Sequence, residues 1–165
     1  MNVLLAALLA FVSAEWSGRR EMLTREAERL QIAYTNCAAQ ATEPAEGVVV
    51  PVEVNQDGSV KLSIEAKKAQ LFLDRNDKNK NLVWAEGVVI RKTGPDGAEM
   101  SRIEADSCVF DRNTKSGWAD GTLTMTHGGT VFTGHGVYFS SMEDYVMSFS
   151  GSSIYSKDLK FGGGL

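Results

Sequence analysis

The spacing of apolar positions changes character twice along this chain. Residues 3–12, VLLAALLAFV, are continuously apolar. Over residues 18–35, GRREMLTREAERLQIAYT, Met22, Leu23, Ala27, Leu30 and Tyr34 fall on one stripe with Arg and Glu opposite, which predicts an amphipathic helix. Residues 38–47, AAQATEPAEG, are small, polar and proline-containing and read as a linker. From Val48 the period drops to two. VVVPVEV opens a series of strands punctuated by Asp57-Gly58, Asp96-Gly97 and Gly128-Gly129, dipeptides suited to hairpin turns.

The strand region is written in repeated units. Ile64-Glu65-Ala66, Asp74-Arg75-Asn76 and Trp84-Ala85-Glu86-Gly87 return in the same order as Ile103-Glu104-Ala105, Asp111-Arg112-Asn113 and Trp118-Ala119-Asp120-Gly121. A blurred third copy carries Thr133-Gly134, Phe139-Ser140-Ser141 and Ser150-Gly151 at the equivalent places. Units of this length stack so that neighbours bury a shared core. Within each unit the alternation slips once: Leu62, Ile64 and Ala66 share one parity, Ala69, Leu71 and Leu73 the other. The same slip separates Ile103 and Ala105 from Cys108 and Phe110, and Phe132 and Gly134 from Val137 and Phe139. A period-two pattern changes parity only through a bulge or a corner. Bends are therefore expected at Lys67-Lys68, Asp106-Ser107 and His135-Gly136. The fold expected is mainly β: a repetitive antiparallel β-jellyroll or folded trough of stacked, bent strands, with an N-terminal helix covering one open end of it. A membrane-proximal role for that helix is the other reading.

Composition narrows the function classes. A chain of 165 residues holds one domain with a real core. The net charge of −4 argues against an electrostatic grip on nucleic acid. Two cysteines, Cys37 and Cys108, form no disulfide framework, and one bridge or two free thiols both remain open. The apolar run at 3–12, followed by Val12-Ser13-Ala14, fits either an export signal spanning residues 1–14 or a short membrane anchor. Residues 15–47 then form helix and linker, and 48–165 the β domain.

Catalytic chemistry finds little support. His127 and His135 stand apart from other ligating residues, and His135 sits between two glycines at an expected bend. Glu65 and Glu104 recur at one position of the unit, as outward-facing residues of a sheet do. Ser and Thr are abundant without a nucleophile-elbow sequence. The lysines at 67–68 read as a solvated turn or as a contact for an anionic head group. The bulky apolar residues are the informative set. Ile64, Leu71, Trp84, Ile103, Phe110, Trp118, Met125, Phe132, Phe139, Met147 and Phe149 are expected to line the inside of the bent sheet, with Phe110 and Phe139 stacked on one wall. Such a lining closes a dry core or walls a lipid groove. In the groove case a carboxylate at position 139 would be tolerated.

The grammar of the unit, I-E-A, an apolar pair, D-R-N and then W-A-E/D-G before an apolar strand, resembles the OstA-like β-jellyroll domains of the lipopolysaccharide transport system, of the LptA/LptC type. The resemblance covers about residues 48–160. It implies a non-enzymatic periplasmic protein without a cofactor, whose groove, lined by the eleven residues just named, shields the acyl chains of lipopolysaccharide. It further implies partners within the same transport system, joined through edge strands near Val48–Val54 and Ile154–Lys157, and association with the inner membrane through the N-terminus. Two other readings stand beside it: a structural β-solenoid scaffold of the cell envelope, and a polysaccharide-binding or polysaccharide-cleaving β protein.

Overall fold

A computed structural model describes the backbone of residues 3–74, 76–140, 145–148 and 154–156, and side chains for 18–74, 76–77 and 80–140. Helix α1 (Val3–Gln40) is followed by β1 (Ala45–Val54), β2 (Val60–Asp74), β3 (Asp77–Thr93), β4 (Glu99–Asp111), β5 (Ser116–His127), β6 (Thr130–Ser140), β7 (Tyr145–Ser148) and β8 (Ile154–Ser156). The strands form one antiparallel meander in sequence order, so among the described residues β1 and β8 stand at the two ends of the sheet with one neighbour each. The expected helix lies inside α1, which continues through the good helix formers Ala38, Ala39 and Gln40 and stops short of Pro44. The connection to the sheet is accordingly shorter than the linker expected over 38–47. Among the described residues, no helix is long and apolar enough to cross a membrane.

The sheet is creased along one line that crosses its strands. Gly47 in β1 and Gly87 in β3 have φ of 60° and 59° and lie opposite Lys67 of β2, where the ladder skips a pair on both sides. Further across, the register shifts between Ala105 and Ser107 and again between Ala119 and Thr122. Gly121 and Gly136 there have φ of 79° and 59°. Glycine takes this left-handed backbone without the Cβ clash other residues meet. The side chains between the glycines use the space: a Cβ on Gly87 would meet Lys67 Cδ at 2.7 Å, and one on Gly121 would meet Asp106 Oδ2 at 2.8 Å. Asp106 Oδ2 also accepts the Thr122 N–H at 2.9 Å. The three expected bends all fall on this line.

The crease divides each long strand into two arms. Leu62, Ile64, Ala66, Val88, Ile90, Ile103, Leu123 and Met125 lie on one side of it; Ala69, Val83, Ala85, Cys108, Phe110, Ala119, Val137 and Phe139 lie on the other. All sixteen are buried in one cluster, to which Val48, Val52 and Phe132 add partly buried flanks. A flat sheet would leave this face in water. Folding at the crease turns the arms toward each other and removes it.

Helix α1 covers the outer face of the second arm. Leu23, Ala27, Leu30 and Cys37 pack on Trp84, Val109, Trp118 and Tyr138, with Phe72 and Leu82 at the margin. The helix thus covers a face of the sheet rather than an open end. Met22, one step off this stripe, is 62% exposed.

Candidate functional site

The interior of the folded sheet is the candidate site. Ile64, Ile103, Phe110, Met125 and Phe139 all point into it, and Phe132 packs at its margin. The Phe110–Phe139 pair depends on the residue between them. Gly117 of β5 faces Phe110 on one side and Phe139 on the other. With no Cβ there, the two rings meet over the strand at 6.1 Å between centroids and 23° between planes. A Cβ on Gly117 would lie 2.4 Å from Phe139 Cζ and 2.7 Å from the Val109 carbonyl oxygen. Phe110, Phe139, Cys108, Val83 and Val137 are all 0% exposed. At this wall the interior is closed packing, not an open groove.

Trp84 and Trp118 are not part of it. They occupy the opposite face, beneath α1, because their strand neighbours Val83, Ala85 and Ala119 take the inner positions. Their cross-strand partners belong to the outer face too: Trp84 pairs with Val109, and Trp118 with Val109 and Tyr138. The signal was available in the alternation of large with small. A helix stripe containing Ala27, Ala33 and Ala38 needs large partners, whereas an interior shared by two facing arms has room for Ala and Gly beside Phe.

Leu71 shares the inner face through its pair with Val83, but is 48% exposed, and Leu73 beyond it is 61% exposed. Pairing with β1 extends along β2 only as far as Ala69, so the inner face runs past the first strand and out to water. The backbone of Met147 pairs with Tyr138; its side chain, and Phe149 altogether, lie outside the described residues.

Polar residues behave as outward sheet positions. Arg91 pairs with Glu65, its Nη2 donating to Oε2 at 3.4 Å, and Arg102 Nε donates to Glu104 at 2.8 Å, so the two carboxylates are held by different guanidinium groups. His135 is exposed at the crease, its Nδ1 3.4 Å from Thr122 Oγ1. A surface hollow of about 430 Å³ lies where Met100 and Ser101 meet His127, Gly128 and Gly129. Cys37 lies on the sheet-facing side of α1 and Cys108 inside the fold, so the sheet separates two free thiols. Burial pushes the Cys108 thiol up to about 12 and that of Cys37 upward, so both stay protonated near neutrality.

Two long-range ion pairs were not foreseen. Arg29 of α1 forks onto Glu26 and also donates to Asp111 Oδ2 at 2.9 Å, where Asp111 is 2% exposed. The bond to Glu26, outweighing partial burial, and the bond to Asp111 push the guanidinium further up from its ordinary value. On the inner side, Lys115 Nζ reaches Glu53 of β1 at 3.1 Å, and Lys61 approaches the same carboxylate at 3.2 Å. Donation by Lys115, reinforced by Lys61, holds the Glu53 carboxyl below its usual range. Lys115 belongs to the β4–β5 turn at the tip of the second arm, and Glu53 lies near the tip of the first. The bridge spans the mouth of the fold.

No protein-family model matches the chain, and no curated protein matches it in sequence.

Proposed function

We propose that this chain is a non-enzymatic lipid-handling protein that shelters the acyl chains of lipopolysaccharide in the periplasm and joins neighbours of the same transport path by edge-strand pairing. The observation that carries the reading is the course of the apolar inner face. It is one buried cluster on both sides of the crease, and it continues to exposed Leu71 and Leu73 at one end. An acyl chain entering there exchanges water for aliphatic and aromatic contacts worth roughly 0.8 kcal/mol per methylene. The two sheet ends support the second half of the reading, since among the described residues β1 and β8 each have one neighbour and present backbone groups for strand addition. The rung grammar quoted above supports the class of lipid.

The test is native mass spectrometry of protein purified from a host with lipopolysaccharide, combined with a photo-crosslinking amino acid at Leu71. Co-purified lipid and a crosslink to its acyl chains are expected. A second reading, a structural scaffold with a dry interior, is favoured by the full burial of Phe110 and Phe139. Absence of both lipid and crosslink would leave that one.

A further inference from the structure

One short turn holds both the helix and the mouth of the fold. Residues 111–116 join β4 to β5, and their side chains reach in two directions. Toward the outer face, Asp111 takes the Arg29 guanidinium at 2.9 Å, and Ser116, 2% exposed, lies 3.5 Å from the Glu26 carboxylate. Toward the inner side, Lys115 holds Glu53 at 3.1 Å. The turn itself is stiff. Asp111 Oδ1 accepts the N–H of Asn113 at 2.9 Å and of Thr114 at 3.4 Å, and the Asp111 carbonyl accepts the Lys115 N–H at 2.8 Å. The Thr114 and Ser116 hydroxyls are 2.6 Å apart. Lys115 has φ of 54°, the left-handed backbone that a residue with a Cβ adopts only where its surroundings impose it. That conformation directs its side chain to Glu53. The residues at the two ends of this turn, Asp111 and Ser116, are the ones that Arg29 and Glu26 contact.

We propose that the β4–β5 turn is a clasp through which docking of α1 controls closure of the folded sheet. With the helix seated, Arg29 and Glu26 hold Asp111 and Ser116, the turn keeps Lys115 in its left-handed conformation, and Glu53 pins the tip of β1 across the mouth. With the helix lifted, the turn relaxes, Lys115 lets go and the end of β1 opens away from the second arm. The coupling is independent of what the interior holds. Its use, as control over entry of an acyl chain, rests on the lipid reading above.

Amide hydrogen exchange on the full chain tests it, read separately over Ala45–Val49 and Val50–Val54. Arg29→Ala and Lys115→Ala should each raise exchange at Val50–Val54 by about tenfold, the scale of a modest local opening. The double variant should add nothing, because both substitutions release the same contact. Lys115→Arg should keep wild-type protection. If Arg29→Ala does not fold, Arg29→Lys, which cannot fork onto two carboxylates, takes its place with the same expectation. The proposal is overturned if Lys115→Ala leaves Val50–Val54 unchanged. It is equally overturned if the Arg29 variant loosens Ala45–Val49 first, as slack passed along the chain from α1 would, or if the two effects add. Lipopolysaccharide binding is measured on the same variants: exchange as expected with no lipid bound by wild type keeps the clasp and removes the lipid reading.

Discussion

Replacing Phe139 by alanine separates a packed interior from an open groove. The ring is 0% exposed, stacks on Phe110 at 6.1 Å, and fills the notch left by the missing Cβ of Gly117. Burying a phenylalanine contributes about 1.5–3 kcal/mol by transfer from water. The cavity left behind brings the expected cost of Phe139→Ala to about 3–5 kcal/mol, since the sheet backbone cannot collapse into the gap. Gly117→Ala probes the same notch from below. Its new methyl would meet Phe139 Cζ at 2.4 Å, Phe139 Cε1 at 2.8 Å and the Val109 carbonyl at 2.7 Å. Overpacking of this kind costs about 1–3 kcal/mol. Two of those three contacts vanish once residue 139 is alanine, so the substitutions should couple favourably by about 1 kcal/mol in a double-mutant cycle. Urea unfolding followed by both tryptophan fluorescence and far-ultraviolet circular dichroism supplies the energies and checks that the transition is two-state. Phe139→Glu, which an open groove would tolerate, should fail to fold because its carboxylate would be buried unpaired. A Phe139→Ala cost below about 1.5 kcal/mol, with additive Gly117→Ala and a folded Phe139→Glu, would refute the packing argument.

Three further outcomes follow from the geometry. Gly87→Ala should cost about 1–2 kcal/mol for the left-handed backbone, and slightly more than Gly97→Ala, because Lys67 crowds only the former; equal stability to wild type would show that the crease does not need glycine. Trp84→Phe should change stability by less than about 1 kcal/mol, because among the described residues the buried Nε1 has no hydrogen-bond partner and its removal offsets the smaller ring; a loss near 3 kcal/mol would mean that the N–H is satisfied. The depressed carboxyl of Glu53 stabilises the fold above the ordinary carboxylate value of about 4.3 and loses that contribution as pH falls through its lower folded value. Wild type and Glu53→Gln should therefore differ by about 0.2–1 kcal/mol at pH 7, as a partly exposed pair does, and converge as the pH falls below the usual carboxylate range; a constant difference would sink the assignment.

The strand units, their turns and the bend in each could be read directly from the chain, because period-two alternation and its slips are local chemistry. Ala66 and Ala69 are both buried with two exposed lysines between them, and no straight strand does that. Phe110 and Phe139 were likewise placed correctly by their matching positions in successive units. Alternation sorts residues onto two faces, but it does not say which face turns inward where both are apolar. On the second arm Val83 and Trp84, or Phe110 and Val109, compete on equal terms by hydropathy. The choice belongs to the tertiary structure: the crease folds one face onto the other arm, and α1 then covers the face left outside, with Trp84 and Trp118 on it. The same holds for Arg29–Asp111 and Glu53–Lys115, which join residues 82 and 62 positions apart. No local pattern marks them, because each exists only once the helix lies on the sheet and the two arms have closed.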